Sequence, residues 1–171
     1  DGAVVIKEGM IDAVGTTQDI LAELEQNKTD VSGFDIIDAA NQAVLPGFVD
    51  SHTHFVFGGY RAEEFSWRLR GDSYMQILER GGGILNTVRA TRESRKDELI
   101  EAGKKRLDSM LSLGVTTVEG KSGYGLDRVT EIKQLEAMKE LNTCHPIDIV
   151  STFMGAHAVP QEYTGKTDAY I

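Results

Sequence analysis

Two histidines one residue apart, His52 and His54, close an apolar run that Pro46-Gly47 opens. Side chains alternate along a β-strand, so residues two apart project to the same side. At the C-terminal end of a parallel strand, where α/β folds gather their ligands, two imidazoles would face one point. Neutral imidazole nitrogens bind borderline divalent metals such as Zn and Fe(II), so the pair is a candidate metal site. Two ligands are too short a pattern to decide by spacing against a pair of surface histidines in a loop. The apolar approach and Asp50, two residues earlier, weigh toward the strand, with Asp50 as suited to supporting a ligand as to being one. Cys144-His145 has no other ligand at metal spacing and reads as incidental.

The elements that must position this pair follow from periodicity. Residues 3–7 and 10–14 are short β-like runs joined by Glu8-Gly9, a hairpin signal. Thr17 caps a helix through Leu24, with Ile20, Leu21 and Leu24 on one face. Residues 35–38 and 42–45 read as a second pair of strands, which makes residues 1–45 a small β-rich unit. After Pro46-Gly47 come a strand at 47–52 and a long polar, glycine-rich connection. A helix at 73–80 starts at Ser73 and ends at the glycine run 81–83. A longer one at 95–113 has a capping-box-like pair, Ser94 and Asp97, an apolar stripe of Leu99, Ile100, Gly103, Leu107, Met110 and Leu111, and a stop at Gly114. A strand at 115–120, a helix at 128–141 capped by Asp127 and a strand at 147–154 complete a βαβαβ order. That order predicts an α/β fold of parallel strands with right-handed crossovers. It fits a doubly wound sheet or the opening of a (β/α)8 barrel, and a whole barrel takes about 250 residues.

Composition removes several classes of partner. Asp plus Glu number 27 against 18 Lys plus Arg, a net charge of -9, and no basic face for nucleic acid emerges. No apolar run approaches the roughly 20 residues that span a membrane. A single cysteine, Cys144, excludes an internal disulfide framework and suits a reducing cytoplasm. The first residues lead into a strand-like run rather than a signal peptide. The chain opens without Met and stops at Asp168-Ala169-Tyr170-Ile171 without a closing element, so a truncated chain is expected.

The run Pro46-Gly47-Phe48-Val49-Asp50-Ser51-His52-Thr53-His54 is similar to the first barrel strand of the amidohydrolase superfamily. Residues 1–45 resemble part of the small β-sandwich domain that stands beside that barrel. Phe57-Gly58-Gly59-Tyr60-Arg61, Lys121-Ser122-Gly123-Tyr124-Gly125-Leu126 and Gly155-Ala156-His157-Ala158-Val159-Pro160 narrow the resemblance to the imidazolonepropionase family, as do Gly81-Gly82-Gly83-Ile84 and Thr87-Val88-Arg89-Ala90-Thr91-Arg92. The resemblance runs over the whole chain. It implies a TIM barrel of which residues 46–171 supply the first three βα units. It also implies hydrolysis of the ring C–N bond of 4-imidazolone-5-propanoate to N-formimidoyl-L-glutamate, in histidine degradation, with one Zn or Fe ion. His52 and His54 match two metal ligands, and Arg61, Tyr124 and His157 match substrate contacts in the loops after the three strands. A catalytic part for His157 stays open.

The chemistry accords with these residue types. A cyclic amide is a poor electrophile, and a bound metal lowers the pKa of its water to about 7 while polarising a carbonyl. A propionate needs a local cation on an acidic protein. Arg61 can grip it with two parallel bonds, the Tyr124 hydroxyl can add a third, and His157 can bond the ring or the developing oxyanion. The family's other metal ligands, a histidine and an aspartate, come from later strands, so the 171 residues alone are expected to be inactive. Some relatives carboxylate a lysine, but on a later strand than the second, so Lys121 reads as structural or rim. Gly120 stands where the family usually has an apolar residue, a departure expected to loosen packing. Two other readings remain: another amidohydrolase, such as a deaminase of a purine-type ring, or a non-catalytic fragment whose open sheet edge associates with partner segments or with copies of itself.

Overall fold

The computed structural model describes residues 1–171, which divide into two compact units, Asp1–Pro46 and Gly47–Ile171. No helix is long and apolar enough to cross a membrane.

In the first unit, β1 (Ala3–Lys7) and β2 (Met10–Gly15) form an antiparallel hairpin. Its turn residues Glu8 and Gly9 have φ of 53° and 76°, the left-handed pair that a tight two-residue connection needs. Helix α1 (Thr17–Gln26) is capped by Thr16 rather than Thr17, the Thr16 hydroxyl accepting the Asp19 N–H at 3.1 Å. The expected second pair of strands, 35–38 and 42–45, does not form. A strand exists by hydrogen-bonding to a neighbour, and β1 and β2 pair only with each other. Ile36 and Ile37 are about nine-tenths exposed, and the Asp38 carboxylate turns back to accept the Ala40 N–H where Ala40 and Asn41 adopt left-handed φ.

The second unit is a parallel sheet in the order β3 (Phe48–Thr53), β4 (Val115–Lys121), β5 (Asp148–Thr152). Helices α2 (Ala62–Leu69), α3 (Tyr74–Glu79), α4 (Ile84–Glu93) and α5 (Lys96–Ser112) separate the first two strands, and α6 (Arg128–Cys144) the last two. Helix α2 lies in the stretch expected to be a polar, glycine-rich connection, and α4 in residues 84–93, where no element was expected. The buried face of α4 is Thr87, Val88 and Thr91, so threonines stand where an apolar stripe would have announced a helix. Helix α5 is capped one residue later than expected, at Arg95, whose backbone N–H donates to the Glu98 carboxylate at 2.8 Å. The Ser94 hydroxyl instead donates to the Ala90 carbonyl and closes α4. Asp127 caps α6 as expected, accepting the Thr130 N–H at 2.8 Å.

Leu99 and Leu107 of α5, Ala137, Met138 and Leu141 of α6, and Val118 and Ile149 of the sheet build the core with Phe55, Val56 and Ile147. Gly120 shares this face, and the packing around it is not loose. A Cβ there would lie 2.7 Å from the Phe55 ring and 3.0 Å from the Met138 sulfur, which occupy the space of the missing side chain. Gly120→Val is therefore expected to destabilise the unit by about 1–3 kcal/mol through overpacking. A denaturant midpoint equal to or above that of the wild type would show instead that the ring and thioether can move aside. By alternation, Glu119 and Lys121 project from the opposite face of the sheet.

Candidate active site

His52 ends β3 but for one residue and His54 follows the strand, with ring centroids 5.7 Å apart. The Asp50 carboxylate accepts the His52 backbone N–H at 3.1 Å, which supports the strand end. The next loop is held from α5 and α6. Arg106 donates to the carbonyls of Phe55 and Phe57 at 2.8 and 3.0 Å and stacks 3.6 Å above the Phe57 ring, while the Gln134 amide donates to the Val56 carbonyl at 2.7 Å. The loop after β4 carries Tyr124 between Gly123 and Gly125, and the loop after β5 carries His157.

These loops meet. The His54 ring stacks on His157 at 4.6 Å with 6° between planes, and Tyr124 lies 4.8 Å from His54 and 5.6 Å from His157. Nδ1 of His157 is 3.1 Å from the Gly123 carbonyl, which can only accept, so that nitrogen carries the proton. In the neutral form of the ring Nε2 is then the acceptor. His52, His54, Tyr124 and His157 thus converge from three strand ends. Arg61 stands outside this cluster, at the residue before α2. It ion-pairs with Glu64 at 3.8 Å and lines a small cavity with Gly58, Gly59, Tyr60, Asn86, Thr87 and Ala90. Phe57 links the two regions, its ring 6.1 Å from Tyr60 and 6.0 Å from Tyr124.

Both ring nitrogens of His54 are buried without a hydrogen-bond partner. Burial, helped by the neighbouring His157 and His52 rings, pushes its pKa down to about 4. A neutral imidazole with an unshared lone pair is the state that ligates a metal, so the donor chemistry fits a divalent ion. The fit is partial, because nowhere do three or more His, Cys, Asp or Glu side chains gather in ligating positions. In metal-free protein the His54 imidazole is expected to titrate near pH 4 by NMR. Its folded pKa lies below the value of about 6.5 that an unfolded chain would have. Between those values the unfolded chain takes up the proton, so His54's contribution to stability is complete above pH 6.5 and declines toward pH 4. A His54 midpoint near 6.5 would contradict the burial.

Lys121, expected to be structural or rim, is buried at the end of β4 and ion-pairs with Glu119. Glu119 also accepts the Thr152 hydroxyl at 2.7 Å, and Lys121 with Thr152 holds its carboxyl below the usual range. His145 has a structural part, with Nε2 3.3 Å from Asp108 and Nδ1 accepting the Ile147 N–H. Cys144 is exposed and unpaired.

Arg106, Arg92 and Glu131 hold the site's loops and were not singled out from sequence. Arg92 donates to the carbonyls of Gly125 and Leu126 at 2.7 and 3.2 Å, and the buried Glu131 carboxylate accepts the N–H groups of Gly123, Gly125 and Leu126. A signal for Glu131 did exist. A glycine-rich loop entering a helix exposes backbone donors, and an acidic residue in the helix's opening turns is the natural acceptor.

The model of the "Amidohydrolase family" matches residues 35–104. Curated imidazolonepropionases of Parabacteroides distasonis and Clostridium tetani are 61% and 60% identical over all 171 residues, each covered to 40% of its own length. That of Porphyromonas gingivalis strain W83 is 50% identical over 169 residues, 99% of this chain and 38% of the relative. The chain thus spans about 40% of the length of the curated relatives it matches. It is similar from one end to the other to part of the imidazolonepropionases, at 50–61% identity, and carries a match to the amidohydrolase family.

Proposed function

We propose that the full-length protein containing this chain hydrolyses the ring amide of 4-imidazolone-5-propanoate to N-formimidoyl-L-glutamate, a cytoplasmic step of histidine degradation. The observation that supports this best is His54, neutral and without a partner at either ring nitrogen, packed among His52, Tyr124 and His157. In this reading β3, β4 and β5 open a (β/α)8 barrel, residues 1–45 belong to the companion sandwich, and His52 and His54 hold one divalent metal, Zn or Fe. Such an ion supplies an acidified water and a polarised carbonyl.

The chain's own side chains bind and orient. Arg61 takes the propionate in a charge-assisted pair, and Tyr124 adds its hydroxyl. His157, with Nδ1 fixed on the Gly123 carbonyl, presents Nε2 to accept a proton from, or with that proton donate to, the opening ring. Two imidazoles leave a catalytic metal site short of ligands, so the 171-residue chain alone is expected to show no turnover and to self-associate through its sheet edge.

The test is turnover by purified full-length protein offered imidazolone propionate and, separately, purine-type rings. Loss of the imidazolone chromophore with stoichiometric formimidoyl-glutamate is the expected result. Ammonia release from a purine-type ring, with the imidazolone untouched, would replace this reading by a deaminase.

A further inference from the structure

We infer that Glu131 is a positioning residue that sets Tyr124 and His157 against His54, an inference that rests on the functional reading above for its kinetic consequence alone. Glu131 stands on α6, outside the ring cluster, and is 2% exposed. Its Oε1 accepts the Gly125 and Leu126 N–H groups at 2.7 and 2.8 Å, and its Oε2 accepts the Gly123 N–H at 2.8 Å. The acceptors therefore grip both sides of Tyr124. The segment needs such a grip, because Gly123 has φ of 115° and Leu126, which is not glycine, has φ of 53°.

The constraint passes on to His157. The Gly123 carbonyl accepts a hydrogen bond from His157 Nδ1, and a Cβ on Gly123 would lie 2.9 Å from the His157 Cβ, so the Gly123 backbone and the His157 side chain are in close approach. His157 in turn stacks on His54. One carboxylate thus fixes, through three backbone donors, the height of the Tyr124 ring and the tautomer-setting partner of His157.

Chemistry explains why the residue is an acid. A carboxylate only accepts, with lone pairs enough for three donors. A glutamine in the same place must turn its NH2 toward at least one backbone N–H, breaking one bond or two according to its orientation.

The test uses full-length protein carrying Glu131→Gln, alone and combined with Tyr124→Phe. Metal content is expected to be unchanged, and kcat/KM to fall about tenfold, the loss of one charge-assisted bond's worth of order. In the Tyr124→Phe background the same change is expected to cost markedly less, about threefold, because the Tyr124 hydroxyl is gone and only His157 is still being positioned. Equal losses in both backgrounds would make Glu131 a stability residue only and overturn the inference. A second readout needs no substrate. Amide exchange at Gly123, Gly125 and Leu126 is expected to accelerate, and the His157 ring resonances to shift, with the rest of the sheet still protected. Unchanged protection and resonances would overturn the inference even if imidazolone propionate proved not to be the substrate. If Glu131→Gln does not accumulate as folded protein, Glu131→Asp, which keeps the charge and shortens the reach, is read in the same way.

Discussion

Full-length protein carrying His52→Ala or His54→Phe is expected to be isolated without its metal and to turn over imidazolone propionate more than about 10³-fold more slowly, since a bound metal lowers water's pKa from 15.7 to about 7. The two variants should part company in stability. His52 is exposed, and its loss should move the metal-free melting transition little. His54 is different, because its ring packs against both Tyr124 and His157 while both nitrogens are buried and unpaired. A phenyl ring keeps the stacking and removes the unpaired atoms, whose burial costs about 1–3 kcal/mol each. Metal-free His54→Phe should therefore melt at or above the temperature of metal-free wild type, while being inactive. Such a divergence is the mark of a residue retained for what it binds. Full metal occupancy in either variant would remove the pair from the metal site, and a sharply lowered metal-free transition in His54→Phe would make His54 a core residue.

Arg61→Ala should lower kcat/KM roughly ten- to a hundredfold, the equivalent of one charge-assisted contact of about 1.5–3 kcal/mol. The structure leaves Arg61 free for such a task. Its pair with Glu64 is long at 3.8 Å, its side chain is 41% exposed, and Glu64 is already engaged by the Gly83 N–H at 2.9 Å. Arg61 is the exposed partner of a long contact, and the buried Glu64 keeps its bond from the Gly83 N–H, so the variant should fold with at most a modest loss of stability. Arg61→Lys should recover part of the loss, because an ammonium lacks the forked geometry. Tyr124→Phe should cost less than Arg61→Ala, and metal content should be unchanged in all three variants. The decisive comparison is an imidazolone without the carboxylate. Arg61→Ala should leave its hydrolysis unaffected, whereas an equal slowing on both substrates would make Arg61 a structural residue of the loop.

What was legible in the residues depends on where the information lies. The βαβαβ succession is assembled from short stretches, and the caps at Ser73 and Asp127 and the Leu99–Leu107 stripe are local patterns, each contained within about three turns of chain. The His52–His54 pair at a strand end is local too. Strands at 35–38 and 42–45 were misread because alternation states a capacity to pair and says nothing about a neighbour. Helix α4 was missed because threonines line its buried face. Gly120 was misjudged because the ring that fills its space belongs to Phe55, 65 residues earlier. The meeting of His54, Tyr124 and His157, and the supports under their loops, are contacts across distant segments that periodicity does not reach.

Arg106 holds the loop after β3 by its main-chain carbonyls, at Phe55 and Phe57, and neither bond reads a side chain. The path of that loop is thus insulated from much of its own sequence. In the reading proposed above, exposed positions such as Arg61 can be exchanged to retune what the site accepts while the backbone keeps its course. A library confined to those exposed positions, with Arg106 and Phe57 left as they are, should yield mostly folded members. The freedom to change specificity here resides in a helix that contributes no side chain to the ring cluster.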